Sequence, residues 1–253
     1  MRPSEDTRQQ EIFCQFLSGK GVQLSKETTE RLYLYADLVV ETKQFGNLIS
    51  PKDSEKILSR HIADSLVPYI YIRREIASPG SHASLGVSVA RNDKNTQDNT
   101  IPNSSLLKAT KGSDLIPHTY KWADMGAGAG CPVFPLAIVM PEIQFYAVEP
   151  RNMRVQFMNY AKEKLQLKNL TVVGKRFETS GLSDLDFISC RALSTFENDW
   201  ERAQPGLKKG GMFLTLKSFN NIVHLENDPA VHIYKYALPQ EEQVYALVTR
   251  GNE

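Results

Sequence analysis

Apolar residues in the first 76 positions recur every three or four residues, which is the spacing of one face of a helix. The pattern occupies three segments, with apolar residues at positions 12, 13, 16 and 17, at 32, 34, 35, 38 and 39, and at 57, 58, 62, 66 and 69. Ser25 is a suitable N-cap for the second segment, and the third begins near residues 51–53. We therefore predict a helical N-terminal segment over residues 1–76.

Residues 77–118 have a different composition and show no apolar period. Serine, asparagine, threonine, aspartate and glycine dominate this stretch. A loop of this length is uncommon inside a compact domain, and so polar a sequence buries too little apolar surface to fold by itself. We predict a polar, flexible insertion here.

Residues 119–253 alternate short apolar runs with helical patterns. The predicted strands are 120–125, 144–148, 170–173, 186–189 and 212–217, and the predicted helices are 131–140, 151–166 and 195–204. This alternation indicates an α/β fold with a parallel sheet covered by helices. Two further strand-like runs, 231–238 and 243–250, predict a closing antiparallel hairpin.

Composition narrows the possible functions. The 253 residues are 41% hydrophobic, and 30 basic against 29 acidic residues give a net charge of +1. Proteins whose main task is to bind naked nucleic acid are usually more basic, so any RNA contact must come from a local patch. The three cysteines, Cys14, Cys131 and Cys190, are too few and too widely spaced to indicate a zinc site or a disulfide framework.

The sequence contains no apolar run of the length that a membrane span requires. The opening residues MRPSEDTRQQ are charged and polar, unlike the apolar stretch of a signal peptide. We therefore predict a monomeric cytoplasmic protein that binds neither a membrane nor a metal ion.

A glycine-rich turn follows the first predicted strand, where residues 124–130 read DMGAGAG. Glycines allow the backbone to turn tightly and to approach a ligand closely. A dinucleotide-binding turn would have its third glycine one position later, where Cys131 stands. The acidic first residue, Asp124, suits the ammonium group of S-adenosylmethionine. We predict that this cofactor binds at Asp124, Gly126, Gly128 and Gly130.

Further candidate residues follow the next strands. Glu149 comes directly after the second strand, where a carboxylate can accept hydrogen bonds from both ribose hydroxyls. Phe177 and Glu178 follow the third strand, where an adenine ring is commonly held. Arg191 lies just past the fourth strand, at the edge where open α/β sheets bind ligands. A surface arginine that caps a helix or pairs with Asp186 is an equal alternative, and an ordinary strand–helix turn is the alternative for the whole motif.

The chain resembles a known family at several of these positions. Residues 60–65, RHIADS, are similar to its R-H-I-x-D-S element, and residues 124–136 are similar to its glycine block D-x-G-x-G-x-G-x-P-G-x-P-L. Residues 47–48, 189–192, 216–217 and 236–248 resemble further elements of the family. These elements are typical of the bacterial 16S ribosomal RNA guanine-N7 methyltransferases, also called the glucose-inhibited division protein B family.

The resemblance implies a Rossmann-like class I methyltransferase sheet with S-adenosylmethionine as cofactor. It implies that a guanine in the decoding region of 16S ribosomal RNA is the substrate, either in naked rRNA or in the small ribosomal subunit. By position, it also implies that the cofactor contacts Gly126, Cys131, Phe177, Glu178 and Arg191.

The sequence departs from the family pattern in five places, of which the first is the extra insertion at residues 77–118. Val133 and Ser218 replace glycines, Ile49 replaces a threonine, and an arginine is missing from residues 240–243. These departures concern the RNA site more than the cofactor site.

Methylation of guanine at N7 needs no general base, because N7 has an exposed lone pair and carries no proton. The enzyme has to hold N7 in line with the methyl group. The candidates for positioning the base are Arg191, Lys217, His61 and Arg154, since arginine or lysine can donate to guanine O6. Each cation can equally be a solvated surface charge, and His61 can instead be a packed histidine bonded to Asp64.

Two other functions stay open at this point. The chain can be a methyltransferase of another acceptor, or a ribosome-binding homologue that has lost catalysis. The intact Asp124, glycine turn and Glu149 argue against the second alternative. A nicotinamide-dependent dehydrogenase is disfavoured by the spacing of the glycines.

Overall fold

The computed structural model describes residues 2–77 and 119–253. The insertion predicted over residues 77–118 lies outside the described residues, apart from Ala77 at the end of a helix.

Seven strands form a single sheet in the described part of the chain. They are β1 Lys121–Met125, β2 Gln144–Val148, β3 Leu170–Val173, β4 Leu185–Arg191, β5 Leu207–Ser218, β6 His232–Ala237 and β7 Val244–Gly251. Their order across the sheet is β3-β2-β1-β4-β5-β7-β6, and β7 runs antiparallel to both of its neighbours while the first five strands are parallel. The predicted α/β fold with a closing antiparallel hairpin is confirmed.

The strand order places a candidate binding site at one edge of the sheet. After β1 the chain first moves outward to β2 and β3, and then returns to add β4 on the other side of β1. Ligands of open α/β sheets bind at such a reversal of direction, beyond the carboxyl ends of the strands. The turn after Met125 and the end of β4 at Arg191 therefore belong to one site.

Eight α-helices accompany the sheet in the described ranges. They are α1 Thr7–Gly19, α2 Lys26–Glu41, α3 Pro51–Ser54, α4 Ala63–Ser65, α5 Val67–Ala77, α6 Val133–Val139, α7 Asn152–Lys164 and α8 Phe196–Ala203. The predicted cap of α2 is present, because the Ser25 side chain accepts a hydrogen bond from the Thr28 backbone N–H.

The third N-terminal helix is interrupted, unlike the continuous helix that the apolar pattern predicts. Lys56 leaves helical geometry, with φ −124° and ψ 21°, and Ile57–Ile62 forms a π-helical turn. Pro68 in the first turn of α5 has no backbone N–H, which is tolerated only near a helix start. π-Helical turns are frequent at functional sites.

Tyr35 and Trp122 connect the N-terminal helices and the sheet to one hydrophobic core. Tyr35 of α2 stacks on Phe134 of α6 with ring centroids 5.2 Å apart. Trp122 of β1 is fully buried and packs against Phe145 and Phe187 on the neighbouring strands. The helices before the insertion are therefore packed against the domain that follows it.

Strand β5 begins at Leu207, before the start predicted at residue 212, and therefore includes Gly210 and Gly211. Gly210 has a positive φ of 74°, and the register between β4 and β5 shifts at this point. The Gly210 N–H donates to the Asn252 carbonyl at 2.7 Å. Gly210 and Gly211 thus form an irregularity inside a long strand, where their backbone pairs with that of Asn252.

Candidate functional site

The glycine turn after β1 has a backbone that only glycine adopts easily. Gly126, Gly128 and Gly130 have φ values of 73°, 59° and 99°, in the left-handed region. The N–H groups of Gly126 and Ala127 donate to the carbonyl of Val148 at 2.9 and 3.0 Å, which ties the turn to the end of β2.

Neighbouring side chains leave no room for a Cβ at two of these glycines. A Cβ on Gly126 would lie 2.8 Å from Leu193 Cδ1, and one on Gly130 would lie 2.9 Å from Phe134 Cε2. Leu193 therefore lies directly over the turn. The buried Phe134 ring requires glycine at position 130 beyond its φ angle, whereas at Gly126 the end of the exposed Leu193 side chain could turn aside.

Asp124 presents a buried carboxylate oxygen at the same turn. Its Oδ1 accepts a hydrogen bond of 2.7 Å from Ser189 Oγ, which in turn accepts one of 3.0 Å from Trp122 Nε1. Its Oδ2 is buried without a hydrogen-bond partner among the described residues. Burial raises the pKa of Asp124 to about 7, against the opposing effects of Ser189 and Arg191. Such an orphaned oxygen fits a cationic ligand group.

Glu149 is the second buried carboxylate of the site, at the carboxyl end of β2. Its Oε2 accepts a hydrogen bond of 2.9 Å from the Gly128 N–H, and its Oε1 accepts from the Arg151 N–H and Nε at 2.9 and 2.8 Å. Burial raises the pKa of Glu149, but the hydrogen bonds from Arg151 and Gly128 outweigh it, so the pKa lies below its ordinary value. Glu149 is therefore ionised and faces the glycine turn.

Arg191 is the centre of a network that the sequence did not indicate. Its Nη1 donates to Asp64 Oδ2 at 3.3 Å, and its Nη2 lies 3.0 Å from His61 Nδ1. The other oxygen of Asp64 accepts a short hydrogen bond from the hydroxyl of Tyr236 on β6. The network joins the π-helical region, the end of β4 and the closing hairpin. Of the roles considered for Arg191, a pairing with Asp186 is not observed, because the ion-pair partner of Arg191 is Asp64.

His61 is a packed histidine, as one of the two predictions held, but its hydrogen-bond partner is Arg191 rather than Asp64. Burial, followed by the charge of Arg191, lowers the pKa of His61 to about 4. The ring is therefore neutral at pH 7, and its Nδ1 accepts from Arg191. The proton is then on Nε2, which lies 3.6 Å from Asp53 Oδ1. With its lone pair occupied, His61 is suited to hold Arg191 and not to accept a proton.

Helix α2 supports the other side of the turn through Tyr35. The hydroxyl of this fully buried residue donates to the Ala129 carbonyl at 2.9 Å and lies 3.3 Å from Cys131 Sγ. Cys131 is partly buried and a free thiol. The contact of Cys131 with the cofactor, which the family resemblance implies, stays a prediction.

Two residues predicted on the adenine side follow β3 in a short 3₁₀ turn, Phe177–Thr179. Phe177 is buried and lies close beneath Gly206, where a Cβ would meet its Cζ at 2.7 Å. Glu178 is half-exposed and pairs with Arg202 at 3.5 Å. Their contact with an adenine ring remains a prediction.

Lys217 and Arg154, two candidates for base recognition, bind groups of the chain itself. The buried Lys217 ammonium donates to Asp199 Oδ2 at 2.8 Å and to the Ser194 carbonyl at 2.6 Å. Arg154 Nη2 donates to the Asn47 carbonyl at 2.9 Å, so it ties α7 to the N-terminal segment. Recognition of a base by either side chain would require these bonds to break.

Tyr35, Asp53, Asp199 and Tyr236 were missed by sequence reasoning. Each of these residues bonds to a polar group of the site. Each lies on an element that is distant in the sequence, or on a helix whose pattern showed only an apolar and a polar face. The pairing of Asp64 and Tyr236 had one usable signal, because both lie in segments that resemble family elements.

Replacing Tyr236 with phenylalanine should lower the free energy of unfolding by about 1–3 kcal/mol, because the buried Asp64 carboxylate would lose a donor. Urea unfolding measures the change. Tyr234→Phe is the matched control, since its hydroxyl accepts from Arg74 at an exposed position. We expect the control to cost no more than about 0.5 kcal/mol. Equal effects of the two substitutions would argue against a structural role for the Asp64 network.

Within residues 2–77 and 119–253, no helix has the length and apolar character needed to cross a membrane. The same ranges contain no cluster of three or more histidine, cysteine or acidic side chains arranged to hold a metal ion.

Comparisons with known proteins identify the family of the chain. The sequence profile of the family described as rRNA small subunit methyltransferase G matches residues 93–245. The ribosomal RNA small subunit methyltransferase G of Oceanobacillus iheyensis is 27% identical, with 94% of this chain and 88% of that protein covered. The protein of the same name from Staphylococcus haemolyticus is 30% identical, with 83% and 72% covered.

Among solved structures, a SAM-dependent methyltransferase from Aquifex aeolicus is similar with a TM-score of 0.42 and 18% identity, covering 51% of this chain and 81% of that one. The family profile spans more than half of the chain and includes the glycine turn, Glu149 and Arg191. The chain belongs to the rRNA small subunit methyltransferase G family.

Proposed function

We propose that this protein transfers the methyl group of S-adenosylmethionine to N7 of a guanine in 16S ribosomal RNA. The observation that carries the proposal is the pair of buried carboxylates at one glycine turn, Asp124 with an orphaned oxygen and Glu149 bonded to Gly128. When bound, S-adenosylmethionine supplies an activated methyl group on a sulfonium centre.

The residues of the site match the chemistry of this cofactor group by group. Asp124 Oδ2 would accept a hydrogen bond from the ammonium group of the methionine part. The two oxygens of Glu149 would accept hydrogen bonds from the ribose hydroxyls. Arg191 is close enough to Asp124 to lower the pKa of that carboxyl group against the effect of burial, so its guanidinium would face the methionine carboxylate. Phe177 and Glu178 complete the predicted set on the adenine side.

The reaction at guanine N7 places a positional demand on the protein and no demand for a base. N7 has a lone pair and no proton, so holding it in line with the methyl group is the main contribution of the site. His61 and Asp64 are both bonded to Arg191, which supports a positioning role for these side chains.

In this proposal residues 119–253 bind the cofactor, and the helical segment 1–76 holds Arg191 and the turn from the other side. The insertion 77–118 would be a third part of the chain, between these two. With a net charge of +1, the protein would recognise a local feature of rRNA or of the small ribosomal subunit in the cytoplasm, acting as a monomer.

The test is methyl transfer from labelled S-adenosylmethionine to purified small ribosomal subunits and, in parallel, to deproteinised 16S rRNA. N7-specific strand cleavage locates the product. Label at a single N7-methylguanosine supports the proposal, and the ratio of the two rates shows which form is the substrate. Label on another acceptor, or cofactor binding without transfer to either RNA, would favour one of the two alternatives.

Cofactor affinity should fall as the pH is lowered from 7.5 to 5.5. Asp124, with a pKa of about 7, would have to lose its proton before binding an ammonium group. Each pH unit below 7 then costs up to about tenfold, and the whole range about 20-fold. Glu149, with a lowered pKa, and His61, with a pKa of about 4, keep their charge states in this range.

Isothermal titration with S-adenosylhomocysteine, which carries the same ammonium group, measures the trend. The variant Asp124→Asn should bind weakly and with the same affinity at both pH values. A pH dependence that persists in this variant would assign the titration to another group.

A further inference from the structure

A cleft opens beside the glycine turn, between the ends of β4 and β5. Residues 192–197 form one wall, and Lys217, Ser218, Asn221 and His224 form the other. The cleft encloses about 470 Å³, which lies within the range of pockets for small molecules. None of the residues expected to bind the cofactor lines it.

The inner end of the cleft meets the cofactor turn at Leu193. This side chain lies over Gly126, as the 2.8 Å clearance to a Cβ at that position indicates. It is also 39% exposed. Leu193 therefore offers an apolar surface to a flat group that approaches the turn through the cleft.

The outer end of the cleft carries an exposed hydrogen bond between two side chains. Glu197 Oε1 lies 2.9 Å from His224 Nε2, and about half of each side chain is accessible. The hydrogen bond from His224 holds the pKa of Glu197 below its ordinary value, so the carboxylate is ionised at neutral pH. A carboxylate here repels phosphate, and besides the bond from His224 its two oxygens have lone pairs that can accept from two neighbouring N–H donors.

We propose that this cleft receives the target guanine and that Glu197 accepts hydrogen bonds from N1–H and the N2 amino group. The inference rests on the proposed function. N7 belongs to one ring of the purine, and N1 and N2 belong to the far side of the other ring. When N7 faces the turn beneath Leu193, the donor edge points toward the outer end of the cleft. Adenine has an acceptor at N1 and no amino group at C2, so Glu197 would reject it.

The test replaces the target guanine with inosine, which keeps N7 and N1–H and lacks the N2 amino group. The 16S rRNA is assembled by ligation around a synthetic segment, and is used naked or reconstituted into subunits, whichever the wild-type protein methylates. Wild type should lose about tenfold in kcat/KM on inosine. Glu197→Ala should lose about tenfold or more on guanine and should treat guanine and inosine alike.

Glu201→Ala is the matched control, because Glu201 is an exposed carboxylate on the same helix. It should keep both the rate and the preference for guanine, and affinity for S-adenosylhomocysteine should be within twofold of wild type in both variants. An absence of transfer by the wild-type protein would overturn the proposed function and this inference together. Equal rates of wild type on guanine and inosine, or a preference retained by Glu197→Ala, would overturn this inference alone.

Discussion

Substituting methionine for Lys217 should lower the free energy of unfolding by about 3–5 kcal/mol, because it leaves a buried carboxylate without its charge partner. Asp199 is 0% exposed, and its Oδ2 accepts from Lys217 Nζ at 2.8 Å. The same oxygen accepts two longer hydrogen bonds, from the Ser194 N–H at 3.3 Å and from the Cys190 thiol at 3.5 Å, and the other oxygen has no hydrogen-bond partner among the described residues. Neighbouring groups are thus too few to stabilise the anion once the ammonium is gone.

Urea unfolding of Lys217→Met and of the double variant Lys217→Met/Asp199→Asn separates the buried charge from other effects. The double variant should recover more than half of the lost stability, because its amide carries no charge while keeping an acceptor for Ser194. If Lys217→Met instead unfolds like wild type and only methyl transfer declines, the ammonium would act on the substrate, as the sequence had suggested.

The partner of Lys217 could not be predicted from the sequence. A lysine at the end of a strand near the cofactor edge is compatible with a substrate contact, a solvated charge or a buried pair, and the strand pattern is the same for all three. Asp199 sits on α8, and nothing in its neighbourhood in the sequence shows that the helix brings it under β5. Tertiary partners of this kind are set by packing between elements, which periodicity does not record.

The glycine turn was predictable because its determinants are local. Strands β2 and β3 begin and end where the apolar runs predicted them, and the turn and Glu149 follow directly from the ends of β1 and β2. The π-helical turn was not predictable, since Ile57 and Leu58 fit an ordinary helix equally well. Its consequence is large, because it carries His61 and leads directly into α4, where Asp64 lies, and both side chains hold Arg191.

Arg191 connects the two parts of the chain that the sequence separates by the insertion. It extends from the end of β4 to His61 and Asp64, so the N-terminal helices complete the edge of the sheet where the turn lies. Tyr35 makes a second connection, to the Ala129 carbonyl. Any change that loosens the N-terminal segment is therefore expected to affect the cofactor turn as well as stability.

Glu149→Gln should weaken the binding of S-adenosylhomocysteine by about 100-fold. The proposed contacts are charged hydrogen bonds to two ribose hydroxyls, each worth about 1.5–3 kcal/mol, and an amide can accept only with its one oxygen. In wild type the Gly128 N–H donates to one oxygen of Glu149 and Arg151 donates to the other. The NH₂ group of glutamine would replace one of these acceptors and would therefore face a donor. Isothermal titration of both proteins at pH 7.5 measures the difference.

Arg151→Met provides the control that separates the ribose contact from local structure. The Arg151 side chain donates to both oxygens of Glu149, at 2.8 and 3.2 Å, so it competes for the lone pairs that the hydroxyls would use. Because this side chain is largely exposed, its loss should cost little stability, and cofactor affinity should be equal to or higher than that of wild type. Weaker binding by Arg151→Met, to the same degree as by Glu149→Gln, would mean that the pair acts as one unit that shapes the turn, and that Glu149 does not bind the ribose directly.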